Sequence, residues 1–178
     1  MTIRSFESVA AIAAFAVSAV LIGSAPATAA GMRVHAPLGY QLMCLQNPKE
    51  CEGGGRAVLA MTPATMGMIQ RVNTTINARI RPQNEAAGQD VWNVNPVAGD
   101  CEDYALTKRH ELINMGMSPS ALRLAYVKTS SGQGHAILIV ESDSGEFVLD
   151  NLSRLVRPLG DTGLHLVAKA SANPEKWI

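Results

Sequence analysis

The sequence predicts an α+β fold in which N-terminal helices pack on an antiparallel sheet. Three observations carry this. Ile69, Val72, Ile76 and Ile80 recur at helical spacing, a second helix start is marked at Asp100, and beyond Pro119 the apolar period shortens to two. Helices first and short-linked strands afterwards is the order of an α+β fold rather than of a parallel sheet with crossover helices.

The elements follow in chain order. Residues 1–30 carry a basic start at Arg4, an apolar, alanine-rich run from Val9 to Ile22, and small residues from Ser24 to Ala30 with Ala27-Thr28-Ala29 as the cleavage signal. That pattern predicts a cleaved secretory signal peptide, too short in its apolar part to span a bilayer. The remaining 31–178 is one domain's length and can bury its own core. Residues 31–60, with Pro37, Gly39, Pro48 and Gly53-Gly54-Gly55, read as an extended, irregular arm. Thr62-Pro63 supplies an N-cap and a first-turn proline for the first helix, and Pro82 ends it. Residues 82–99 read as a loop whose bulky apolar pair is Val91-Trp92. Asp100 then caps a second helix with Asp103 returning the exchange, Ala105, Leu112 and Met115 line one side, and Gly116 stops it. Leu122 to Val127 alternates as a strand. His135 to Val140 is a near-continuous apolar run, as a central strand requires, and Phe147 to Leu149 joins it through the Asp143-Ser144-Gly145 turn. Leu164 to Ala168 adds one more strand.

Charge is balanced, with 15 basic and 15 acidic residues, and the leader would remove one of each (Arg4 and Glu7). No basic stripe is present, which argues against nucleic acid and anionic membrane as partners. After the leader no segment reaches membrane-spanning length, so no membrane insertion of the mature chain is expected. The three cysteines suit export. Cys44 and Cys51 flank a polar, turn-like insert and are expected to pair in an oxidising compartment, a loop closure worth about 2.5 kcal/mol on the chain-entropy picture. Pairing of either with Cys101 stays open at this level. In the first arrangement Cys101 is the odd thiol, and therefore reactive or intermolecular.

Cys101, His135 and Asp150 are the candidate catalytic residues. Cys101 falls in the first turn of its helix, where free N–H groups and the helix dipole favour a thiolate. His135 comes later, directly after the Ser130-Ser131-Gly132-Gln133-Gly134 loop, and Asp150 ends the strand that follows. Those intervals suit a nucleophile on a helix and two partners on neighbouring strands. A hairpin register alone would bring the carboxylate beside the imidazole, which would then be aimed at the thiol. Singly, each residue has a plainer reading: a small buried thiol, a capped histidine, a turn aspartate. Asp100, Glu102 and Asp103 crowd negative charge beside Cys101 and oppose its ionisation. Either capping and ion pairs with Lys108 and Arg109 absorb them, or a hard cation such as calcium does. Trp92 is a candidate oxyanion donor, core packing of its indole being the alternative. The backbone N–H of Cys101 is a second donor.

The string Gly99-Asp100-Cys101-Glu102-Asp103-Tyr104-Ala105 resembles the bacterial transglutaminase-like cysteine proteinases. The likeness extends to the early cysteine pair, Val72-Asn73 to Ile76-Asn77, Asp90-Val91-Trp92, Gly116, His135 and Val148-Leu149-Asp150-Asn151-Leu152. It implies a papain-like or transglutaminase-like α+β fold and an exported, periplasmic or secreted cysteine endopeptidase with Cys101, His135 and Asp150 as its triad. No cofactor is needed for that chemistry, but calcium on Asp100 and Glu102 is implied. The family's best-understood members clip surface adhesins and so release biofilms, under an inner-membrane receptor that sequesters the protease. Two other readings of the same residues are acyl transfer or deamidation at glutamine, and a non-catalytic protein-binding module.

Overall fold

The structure, a computed structural model, describes Met1 and residues 34–178. Apart from Met1, the expected signal peptide lies outside the described residues. Helix α1 (Leu38–Gln46) and a short 3-10 turn at Pro48–Cys51 stand where an extended arm was expected. The helix exists because of what it touches. Tyr40 wedges between Trp92 and Trp177, with ring centroids at 5.3 and 5.6 Å. The N–H of Gly39 donates to Asp90 Oδ2 at 2.8 Å, an approach so close that a Cβ at Gly39 would collide with the Asp90 carbonyl oxygen. Pro37 and Gly39 thus serve a docked helix end rather than a loop, a distinction that only the tertiary contact reveals.

Cys44 and Cys51 are bonded to each other and Cys101 is free. The disulfide loop is further held by the buried guanidinium of Arg109, which donates to the carbonyls of Leu122, Glu50 and Glu52. One fork of donors thus ties three backbone carbonyls together.

Helix α2 (Pro63–Arg79) begins as expected, Thr62 Oγ1 accepting from the Thr65 N–H, and buries Ile69, Val72 and Ile76. After it, β1 (Arg81–Pro82) and β2 (Ala98–Gly99) make a short parallel pair that closes the 82–99 loop against the next helix. Helix α3 (Cys101–Asn114) follows directly. The sheet is built from β3 (Leu122–Lys128), β4 (Gly134–Ser142), β5 (Gly145–Leu149), β6 (Arg157–Pro158) and β7 (His165–Lys169), in the order β6-β5-β4-β3-β7 and antiparallel throughout.

Central β4 is buried from His135 to Val140, so it is covered on both faces. Leu138 and Val140 face the helices with Leu122, Leu124 and Leu149, against Ile69, Leu106 and Leu112. Ile137 and Ile139 join Ala125, Val127 and Val148 on the far side, under Leu159 and Leu164. Among the described residues no helix is long and apolar enough to cross a membrane.

Replacing Cys44 and Cys51 together with serine should lower the unfolding free energy by about 2–3 kcal/mol in a denaturant titration. A loss below about 0.5 kcal/mol would show that the Arg109 bonds hold the loop alone.

Candidate active site

Cys101 is the first residue of α3, and three contacts fix that position. Asp103 accepts from the N–H of Asp100 at 3.3 Å and from the N–H of Asn93 at 2.7 Å, tying the helix start to the preceding loop. Gly99 leaves room for this carboxylate, since a Cβ there would collide with Asp103 Oδ2. One turn on, the Tyr104 hydroxyl donates to the Ile80 carbonyl at 2.6 Å and locks α3 to the end of α2.

His135 and Asp150 meet, as the β4–β5 hairpin allows. The ladder ends at the Leu138–Leu149 pair, so Asp150 lies one residue past β5, level with the start of β4 and free of the strand alternation, and its side chain reaches the imidazole from there. His135 Nε2 lies 2.7 Å from Asp150 Oδ1. The same oxygen accepts from the Leu152 N–H at 2.9 Å, while Asn77 Nδ2 donates to the Asp150 carbonyl at 2.9 Å. Burial pushes the Asp150 carboxyl upward. The His135 and Leu152 hydrogen bonds, with the charges of His135 and Lys108, outweigh it and hold the group below the usual carboxylate range. An ionised Asp150 makes Nε2 the protonated nitrogen, leaving Nδ1 as the free base.

Cys101 and His135 line one cleft. On one side it is a cavity of about 410 Å³ walled by Pro37, Trp92, Tyr126 and Ala136; on the other, about 510 Å³ under the 82–89 loop and Asn151-Leu152. Tyr126 is half-exposed at the cleft edge, where Gly134 gives its hydroxyl room that a Cβ would fill. Trp92 is buried beside Cys101 and its Nε1–H donates to Asp90 Oδ1 at 2.8 Å, so its one donor is turned to that carboxylate.

The thiol does not behave as its helix position suggests. It is pushed up to about 12, by burial first, then by its hydrogen bond to Glu102 and the charges of Glu102 and Asp100, with only the Ala136 N–H pulling the other way. Cys101 Sγ donates to Glu102 Oε2 at 2.9 Å. The carboxylates around it are not neutralised by Lys108 or Arg109. Two turns further along α3, those side chains point into the core and the disulfide loop, and among the described residues neither pairs with an acidic side chain of the Cys101 turn.

Instead, Asp100 and Glu102 gather with Glu85, their carboxylate oxygens all within 4.8 Å of one another. Glu85 is not recognisable from the sequence, because it lies far before Asp100 in a polar loop and carries no motif of its own. The fold brings it in, with Val91 N–H donating to its two oxygens at 3.0 and 3.1 Å. Asp100 is raised to about 6, by burial and then by Glu102, and among the described residues its buried Oδ1 has no partner. Three carboxylates, one with an orphaned buried oxygen, fit a hard divalent cation that takes oxygen ligands.

A helix-borne thiol sharing a cleft with a strand-borne histidine–aspartate pair, on an α+β scaffold, marks the class of papain-like and transglutaminase-like cysteine hydrolases. The pattern that defines the bacterial transglutaminase-like cysteine proteinases (BTLCP) matches residues 30–178, and the chain belongs to that family. Among solved structures it is similar to calcium-bound Legionella pneumophila LapG, with 25% identity and a TM-score of 0.54 over 64% of this chain and 68% of that one. The EGTA-treated form of LapG matches with 24% identity and a TM-score of 0.52, over 62% of this chain and 64% of the other. No protein of curated function matches the sequence.

In chelator, the rate of Cys101 alkylation should keep climbing past pH 10 without a plateau, because the thiol stands near 12. Glu102→Gln removes the hydrogen-bonding anion, so its midpoint should move to lower pH by about one unit or more. A plateau near pH 8 in both proteins would contradict this electrostatic reading.

Proposed function

We propose that the protein is an exported cysteine endopeptidase in which Cys101 is the nucleophile, His135 the general base and acid, and Asp150 the residue that orients His135. The observation that carries this is the 2.7 Å bond from His135 Nε2 to Asp150 Oδ1, in a cleft whose wall also holds Cys101. The family supplies the reaction class, proteolysis through a cysteine.

The steps use the chain's own groups. His135 Nδ1 takes the proton of Cys101, and Sγ attacks the scissile carbonyl carbon. As the tetrahedral intermediate collapses, the C–N bond breaks, His135 returns its proton to the leaving amine, and a thioester joins the acyl group to Cys101. Water, deprotonated by His135, then attacks the thioester carbonyl; the C–S bond breaks and the thiol is restored. The N–H of Cys101 at the helix start has no intrahelical partner and is the oxyanion donor of choice, since Trp92 is engaged by Asp90. Trp92 and Tyr126 then serve as walls for substrate side chains.

Glu85, Asp100 and Glu102 would hold calcium, a reading supported by the calcium-bound and EGTA-treated forms of LapG. Bound there, the cation would offset the negative charge that raises the Cys101 thiol. Export is supported by the leader-like start of the chain, which precedes the part matched by the family, and by the disulfide. The substrate class that the family resemblance points to is a surface adhesin, with an inner-membrane receptor as regulator.

Labelling of mature protein with a peptidyl thiol electrophile tests the reading. Relative to wild type in calcium, His135→Ala should lose about 100-fold or more and Asp150→Asn at least about tenfold, with chelator slowing wild type comparably. Equal labelling in wild type and both variants would overturn the assignment.

A further inference from the structure

On β3 the side chains that face the helices alternate as Leu122, Leu124 and Tyr126, and the two leucines lie in the core. Tyr126 ends that row. It is half-exposed, and it stands in the wall of the cavity that also holds Cys101, Trp92 and His135. The ladder sets Tyr126 opposite Ala136, which makes Gly134 its diagonal neighbour on the same face of β4. The phenol leans that way: a Cβ at Gly134 would overlap the hydroxyl oxygen and come within 2.9 Å of Cζ. The backbone does not ask for glycine at 134, whose φ lies outside the left-handed region. A glycine within a strand weakens it, and here it leaves the room that the phenol fills.

Packing alone would be met by a phenyl ring, so the hydroxyl needs a separate account. The other polar side chains of this wall are engaged. Asp90 Oδ2 accepts from the Gly39 N–H and Oδ1 from Trp92 Nε1, each at 2.8 Å. Glu102 Oε2 accepts from the Cys101 thiol at 2.9 Å, and His135 Nε2 is bound to Asp150. Among the described residues the Tyr126 hydroxyl stands outside all of these pairings, at the edge of the cleft and one residue along β4 from His135.

We propose that Tyr126 is a substrate-binding residue: its hydroxyl donates to a main-chain carbonyl of the peptide in the cleft, and residue 134 is glycine so that the phenol can lie there. The assignment rests on the reading of Cys101 and His135 as the reacting pair. A phenol carries a single O–H, and the acceptor that every peptide offers is its backbone carbonyl. The ring walls the apolar side of the cavity with Trp92, while the hydroxyl fixes the peptide lengthwise relative to Cys101 without demanding a particular side chain. Such a bond is made in the bound peptide before the thiol attacks, so its loss weakens binding more than it slows the chemical step.

The test is labelling of the mature chain in calcium by the peptidyl thiol electrophile over a range of concentrations, which separates its binding constant KI from the limiting rate kinact. Tyr126→Phe keeps the ring and removes one hydrogen bond, so KI should rise about five- to tenfold while kinact changes by less than about twofold. Gly134→Ala pushes the phenol aside and should raise KI at least as far. Placed in a Tyr126→Ala background, where no phenol remains to be displaced, the same alanine should change KI by less than about twofold. Should Gly134→Ala fail to fold, Tyr126→Phe decides the matter by itself. A KI in Tyr126→Phe equal to that of wild type overturns the assignment, whatever His135→Ala does. A kinact that ignores His135→Ala overturns the peptidase reading, whatever happens to KI.

Discussion

The site depends on α3 lying buried across β4. That contact brings the first turn of a helix, with its free N–H groups, against the start of the central strand, so that Cys101 and His135 wall one cleft although all of α3 and β3 lies between them in the chain. Both partners are committed to the arrangement by burial. β4 is covered on its two faces, and α3 buries Leu106 and Leu112 against it. A shift of either element would expose apolar surface at about 25 cal/mol per Å². The precision of the site is therefore inherited from the core, and the local caps at Asp103 and Gly99 only set the last turn.

Two opposing fields meet at the thiol. The helix start favours an anion there, and by itself would contribute no more than about 1–2 kcal/mol toward the thiolate. Against it stand burial and two carboxylates within reach, and these win: the thiol is held near 12. The same carboxylates, with Glu85, form the oxygen cluster suited to a divalent cation. The acidic flank of Cys101 thus restrains the thiol, and under the proposed function a cation held there would release it. His135 and Asp150 are held together apart from that cluster, by their own 2.7 Å contact and by Asn77 and Leu152.

What can be read in the sequence is whatever follows from short-range pattern. The central strand announces itself as an apolar run because both its faces are buried, and α2 and α3 carry their own cap residues. The His135–Asp150 contact is legible in part, because a tight turn brings the end of β5 level with the start of β4, while the approach of the carboxylate is set just past the ladder. Helix α1 is not legible. Its proline and glycine are loop signals, and only docking on Asp90 and the aromatic trio makes the helix worth forming. Glu85 escapes for a related reason, being a loop residue whose importance is created by tertiary closure. The thiol's ionisation is misjudged in degree, because sequence shows the carboxylates as neighbours but not that Lys108 and Arg109 turn away from them.

The central claim, that the carboxylate flank sets the ionisation of Cys101 and a cation relieves it, is tested most directly by thiolate absorbance near 240 nm. The spectrum of wild type less that of Cys101→Ser would be followed against pH, in chelator and in calcium. The account predicts a midpoint above pH 10 in chelator that drops by roughly two units or more when calcium binds. A midpoint that is the same in both conditions would contradict it.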